Sequence, residues 1–179
     1  NTTSSNNNEW RIPIGFEDAA DFFYENQVPM NLDVYLSANQ TAVLDDGTSV
    51  NVCHEILLNP QNRTKAVQAI IDEFQKVYEE TGRTIYSGVT IDFENMKGSA
   101  LKEGFNAFLS ELRQALGKDN TLFVAVHPKL KNSTQYYDGY DYYTIGQLAD
   151  KVILMAHDYQ ANTMTQDVME MGFTTTPLT

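Results

Sequence analysis

Ser87-Gly88-Val89-Thr90-Ile91-Asp92-Phe93-Glu94 alternates β-branched and aromatic residues with polar ones. That pattern is a strand's, with Val89, Ile91 and Phe93 on one face and Thr90, Asp92 and Glu94 on the other. A half-buried strand ordinarily ends its polar row on groups that water satisfies. Here the row ends on two carboxylates two positions apart, about 6.6 Å along the strand. Acids that close influence each other's ionisation, and acid/base chemistry exploits that influence. The plainer alternative is two carboxylates that pair with lysines or arginines inside the fold.

Helical patterns flank this strand. Before it, Asn59-Pro60 reads as an N-cap followed by proline at the first helical position, and Gly82 as the stop. Between them Val67, Ile70, Ile71, Phe74, Val77 and Tyr78 form an apolar stripe on a helix over Pro60 to Thr81. After the loop Asn95–Ser99, a second stripe (Leu101, Phe105, Phe108, Leu109, Leu112, Leu116) is closed by Gly117. Further out, the pattern predicts a helix from Phe16 to about Asn26, a strand over Met30 to Ser37 and a loop over 39–50. Towards the C-terminus it predicts strands over Leu122–His127 and Val152–His157, with a short helix around Tyr142–Ala149 between them. Residues 1–9 read as a flexible leader, and 160–179 as loop-like with one helical turn near Gln166–Met171. Trp10 to Ile14 reads as an edge segment or loop because of Pro13. Strands alternating with helical crossovers make an α/β fold with a parallel sheet, in one domain over 10–179.

Composition narrows the function. A formal net charge of −12, from 12 basic and 24 acidic residues, argues against nucleic acid or an anionic membrane surface as partner. A neutral substrate suits that surface better. No apolar run approaches the roughly 20 residues of a membrane span. Cys53 is the sole cysteine, so no internal disulfide exists. His54, His127 and His157 lack metal-ligand spacing, and no metal or cofactor is expected.

Four landmarks resemble family 18 of the glycoside hydrolases. Gly88 to Glu94 resembles the acidic fourth strand of that family's (β/α)8 barrel, and Leu154-Met155-Ala156-His157-Asp158-Tyr159 its sixth-strand motif. Val34 to Ser37 resembles the third strand and Val124 to Lys129 the fifth. Gly88 to Asn95 is most similar to the bacterial cell-wall and spore-cortex-lytic N-acetylglucosaminidases. The resemblance covers most of 28–179 and implies a partial TIM barrel, roughly strands three to six with their helices. An open barrel of that kind leaves strand edges bare, which implies self-association or a fold retained from proteolysis of a longer parent, and it lacks part of the sugar site, which implies that the isolated chain is inactive.

The resemblance also implies roles. Glu94 would be the general acid and later the general base, and Asp92 would orient the substrate's N-acetyl group, whose carbonyl attacks the anomeric carbon. The substrate would then be a polysaccharide of 2-acetamido sugars, peptidoglycan or chitin-like, met by a secreted or cell-wall-associated bacterial protein. His157, Asp158, Met155, Tyr159, Thr90 and Tyr35 would contact the sugar. Two positions depart from the family pattern: Thr90 replaces an aspartate beside Asp92, and His157 replaces a tyrosine. These departures keep open a non-catalytic saccharide-binding barrel. The tyrosines at 136, 137, 140, 142 and 143 read either as a saccharide platform or as packing around a short helix.

Overall fold

The computed structural model describes residues 15–128 and 138–155. Trp10 to Ile14, the leader and the tail lie outside them. Helix α1 (Phe16–Glu25) follows Gly15, and β1 spans Met30–Ser37. A hairpin of β2 (Thr41–Val43) and β3 (Ser49–Asn51) leads into α2 (Val52–Leu58) and the long α3 (Pro60–Thr81). Strand β4 (Tyr86–Glu94), α4 (Ser99–Leu116), β5 (Thr121–Val126), α5 (Tyr142–Leu148) and β6 (Lys151–Leu154) complete the order.

The main sheet has the order β1-β4-β5-β6, and every neighbouring pair is parallel. Helical crossovers enforce that direction, because a strand that returns through a helix re-enters the sheet from the same end. Leu32 and Leu36 of β1, Val89, Ile91 and Phe93 of β4, and Leu122, Val124 and Val126 of β5 are buried in the core cluster. Phe105, Phe108, Leu109 and Leu112 of α4 belong to the same cluster, and Phe93 stacks on Phe105 and Phe108 at 5.5 and 5.3 Å. Each such side chain contributes about 1.5–3 kcal/mol on burial, so α4 is held by its apolar face rather than by helix propensity.

The ends of α3 follow the sequence. Asn59 accepts hydrogen bonds from the N–H groups of Gln61 and Asn62, Pro60 opens the helix, and Gly82 closes it at φ 68° with its N–H on the Tyr78 carbonyl. The stretch 39–50 differs from the loop expected there. Thr41–Val43 pairs antiparallel with Ser49–Asn51, and Val52 N–H donates to the Gln40 carbonyl to close the base. Three-residue strands are too short for an alternating pattern to register.

Candidate active site

Parity along β4 sets the site. Its apolar residues are committed to the helices, so Thr90, Asp92 and Glu94 face the opposite side of the sheet, each half-buried. Register then brings the neighbours. Asp33, Tyr35 and Ser37 of β1 stand beside Thr90, Asp92 and Glu94, while Phe123 and Ala125 of β5 stand beside Thr90 and Asp92. Lys151 and Ile153 of β6 extend these two rows. Ala125 thus flanks Asp92 on one side, and Tyr35 flanks it on the other.

The row below is held by a glycine. Asn31, Gly88 and Thr121 are in register, and the Thr121 hydroxyl donates to Asn31 Oδ1 at 3.1 Å across the bare Gly88. Asn31 Nδ2 donates in turn to Thr90 Oγ1 at 3.5 Å. Thr90 is therefore tied into the floor of the acidic row.

Glu94 is the last residue of β4, and its surroundings are built from three strand ends. The Tyr35 hydroxyl donates to Glu94 Oε2 at 3.4 Å. Desolvation first, then the Glu94 carboxylate, raises the Tyr35 phenol above its ordinary range, so it remains a donor at neutral pH. Ala38 N–H donates to the Glu94 carbonyl at 2.9 Å. The chain then turns at Asn95, whose φ of 59° is the left-handed conformation asparagine tolerates. Asn95 Nδ2 donates to Ser37 Oγ at 3.2 Å. His127, buried, follows the end of β5, and Met155, also buried, follows β6 with its N–H on the Val126 carbonyl.

Of the residues singled out in the sequence, Asp92, Glu94, Thr90 and Tyr35 share one sheet face, and Met155 lies at the same end of the sheet. His157, Asp158 and Tyr159 lie outside the described residues. Ser37, Asn95, Ala125 and His127 were not singled out. For His127 a signal existed: it stands just past the C-terminal end of a parallel strand, the position that carries chemistry in barrels. The tyrosine cluster divides. Tyr140 is buried and Tyr142 half-buried, which sets both into the fold rather than on a platform, whereas Tyr143 is 79% exposed; Tyr136 and Tyr137 lie outside the described residues.

A hollow of about 540 Å³ lined by Phe23, Tyr24, Pro29, Arg83 and Ile85 lies at the opposite, N-terminal end of the strands. It holds no carboxylate pair and is separate from the acidic row. Among the described residues no group of three or more histidine, cysteine or acidic side chains could hold a metal ion.

The family model described as "Glycosyl hydrolases family 18" matches residues 51–177. A Bacillus subtilis (strain 168) protein named as a candidate sporulation-specific glycosylase, YdhD, is 32% identical over 123 residues, covering 68% of this chain and 27% of its own. The crystal structure of that candidate B. subtilis glycosylase superposes with a TM-score of 0.65 at 27% identity, over 86% of this chain and 47% of the other. The spore cortex-lytic enzyme SleL of Bacillus cereus shares the fold, with a TM-score of 0.60 at 20% identity over 87% of this chain and 33% of its own. The chain thus spans about half the length of the first of these structures, or less.

Proposed function

The chain belongs to family 18 of the glycosyl hydrolases, a partial (β/α)8 barrel, and on that premise we propose that it carries the acid/base centre of a retaining hydrolase. The substrate is a polymer with β-1,4 bonds next to N-acetylglucosamine, peptidoglycan or a chitin-like chain. One observation carries this reading: Asp92 and Glu94 sit half-buried on one face at the C-terminal end of β4, walled by Tyr35. The likeness to a protein named as a candidate sporulation-specific glycosylase supports a bacterial glycan as substrate, and a secreted or wall-associated location follows from that reading. No described helix is long and apolar enough to cross a membrane.

In this reading Glu94 protonates the leaving glycosidic oxygen while the substrate's acetamido carbonyl attacks the anomeric carbon. Asp92 orients that acetamido group and stabilises the positive charge it acquires. Glu94 then removes a proton from the incoming water, which opens the cyclic intermediate with net retention. Tyr35, Thr90 and Met155 border the sugar, as do His157, Asp158 and Tyr159. Replacing Glu94→Gln in the full-length protein should lower hydrolysis of N-acetylglucosamine oligomers by about 10²- to 10⁴-fold without altering its circular dichroism. Turnover at the wild-type level would sink the assignment.

A second reading, a saccharide-binding barrel without catalysis, draws on Thr90. Its hydroxyl, tied to Asn31, can orient Asp92 but cannot share a proton with it as a second carboxylate would. Tight binding of N-acetylglucosamine oligomers by the intact protein, with no release of reducing ends, would favour it.

A further inference from the structure

The segment 138–141, just before α5, grips the loop that follows Glu94. Asp138 Oδ1 accepts from Gly98 N–H at 2.7 Å, and Gly139 N–H donates to the Met96 carbonyl at 3.2 Å. Gly139 lies so close that a Cβ there would stand 2.5 Å from the Met96 carbonyl carbon. The Tyr140 hydroxyl donates to the Phe93 carbonyl at 2.5 Å. That carbonyl belongs to the peptide whose nitrogen is Glu94's.

Strand alternation gives the Tyr140 bond its meaning. The Glu94 carbonyl faces β1, where Ala38 N–H reaches it, so the Phe93 carbonyl faces β5. The β4–β5 register ends at Asp92 opposite Ala125, one residue short of Phe93. Tyr140 stands where the ladder stops. Its ring is 4% exposed and meets Phe105 edge-on at 6.1 Å, so the hydroxyl is held from behind by the core. Burial raises the phenol far above its ordinary range, which keeps it a donor at neutral pH. Tyr142 makes a parallel contact, its hydroxyl on the His127 carbonyl at 2.7 Å.

We propose that Tyr140 is a positioning residue for Glu94: by fixing the Phe93–Glu94 peptide beyond the end of the ladder, it holds the carboxyl in line with Asp92 and Tyr35. Its kinetic consequence rests on Glu94 being the proton donor, but its structural consequence does not. Asp138 and Gly139 secure the far side of the same loop.

The test is Tyr140→Phe in the full-length protein, which keeps the ring and removes the donor. On a soluble N-acetylglucosamine oligomer, kcat per folded molecule should fall roughly 10- to 100-fold, with KM within about twofold, as expected for a misplaced catalytic group. Independently, the backbone amides of Glu94 and Asn95 should show millisecond exchange by NMR relaxation dispersion that the wild type lacks. Asp138→Ala, which frees only Gly98, should move both readouts the same way by less, and it decides the matter if Tyr140→Phe does not fold. Folded variants with wild-type kcat and quiet Glu94 amides would overturn the proposal. If the wild type hydrolyses nothing, the hydrolase reading falls, while the amide measurement still decides the role of Tyr140.

Discussion

Glu73 shows how one side chain tunes stability away from the acids of the sheet. It lies on the buried face of α3, only 4% exposed, and burial is the main reason its carboxyl is raised above the ordinary glutamate range, with Glu80 adding to the rise and Lys76 opposing it. The folded protein therefore holds the Glu73 proton more tightly than the unfolded chain does. Its contribution to stability is complete below the ordinary glutamate range and is lost as pH rises through the raised value. At neutral pH the charge is carried at a cost. Glu73→Gln should therefore raise the melting temperature by a few degrees at pH 7, up to about 1 kcal/mol. The gain should shrink towards pH 4, and thermal melts at the two pH values would check both sign and trend. Tyr35 makes the opposite point about legibility. Its hydroxyl meets a carboxylate 59 residues away in sequence, and only the β1–β4 register brings them together. The sequence marked Tyr35 as a strand-end aromatic, but no local pattern encodes which residue of β4 it faces.

At the scale of elements, Gly88 fixes the β4–β5 seam. A Cβ added there would lie 2.1 Å from the Thr121 carbonyl oxygen and 2.2 Å from its hydroxyl. Backbone cannot swing aside as a flexible side chain can, so Gly88→Ala should cost about 1–3 kcal/mol. It should also break the Asn31–Thr121 bond, and chemical denaturation of this variant beside Thr121→Ala would separate the two losses. The strands and long helices were legible because each carries a period: two for β4, and 3.6 for the stripes of α3 and α4. Gly82 and Gly117, both at positive φ, marked where helices stop. The hairpin and α2 were not legible. Asp45-Asp46-Gly47 announces a turn, but three residues of strand on each side give no measurable alternation. The seven residues of α2 are separated from α3 only by Asn59, which serves as C-cap to one helix and N-cap to the other. Two helices sharing one cap look like a single helical start. The Tyr140 contact was hidden for another reason: tyrosines of equal appearance stand at 140, just before α5 and packed into the core, and at 143, on α5 and exposed, and only the tertiary packing tells them apart.

Across the whole molecule, the described sheet has β1 and β6 at its edges, and both expose apolar surface. Tyr35 is 56% exposed, and Val152, Ile153 and Leu154 of β6 are each more than two-fifths exposed. A parallel sheet is normally covered on both faces and closed or capped at its edges. The 179-residue chain on its own should therefore associate with itself at micromolar concentration and show no turnover. Light scattering and an assay of reducing ends would check both, and a stable monomer with measurable hydrolysis would count against the partial-barrel account of the site. The β2–β3 hairpin has a further use. It rises from the end of β1, on the side of the sheet where β4 ends in Glu94, and its tip at Asp45 and Asp46 is exposed. The chain's single native thiol, Cys53, is fully buried against Met96, and burial pushes it up to about 12. A cysteine placed at Asp45 would thus be the one thiol a maleimide dye can reach. The hairpin becomes a single-site optical antenna beside the acidic row, able to report a polymer's arrival by energy transfer without a label touching either acid.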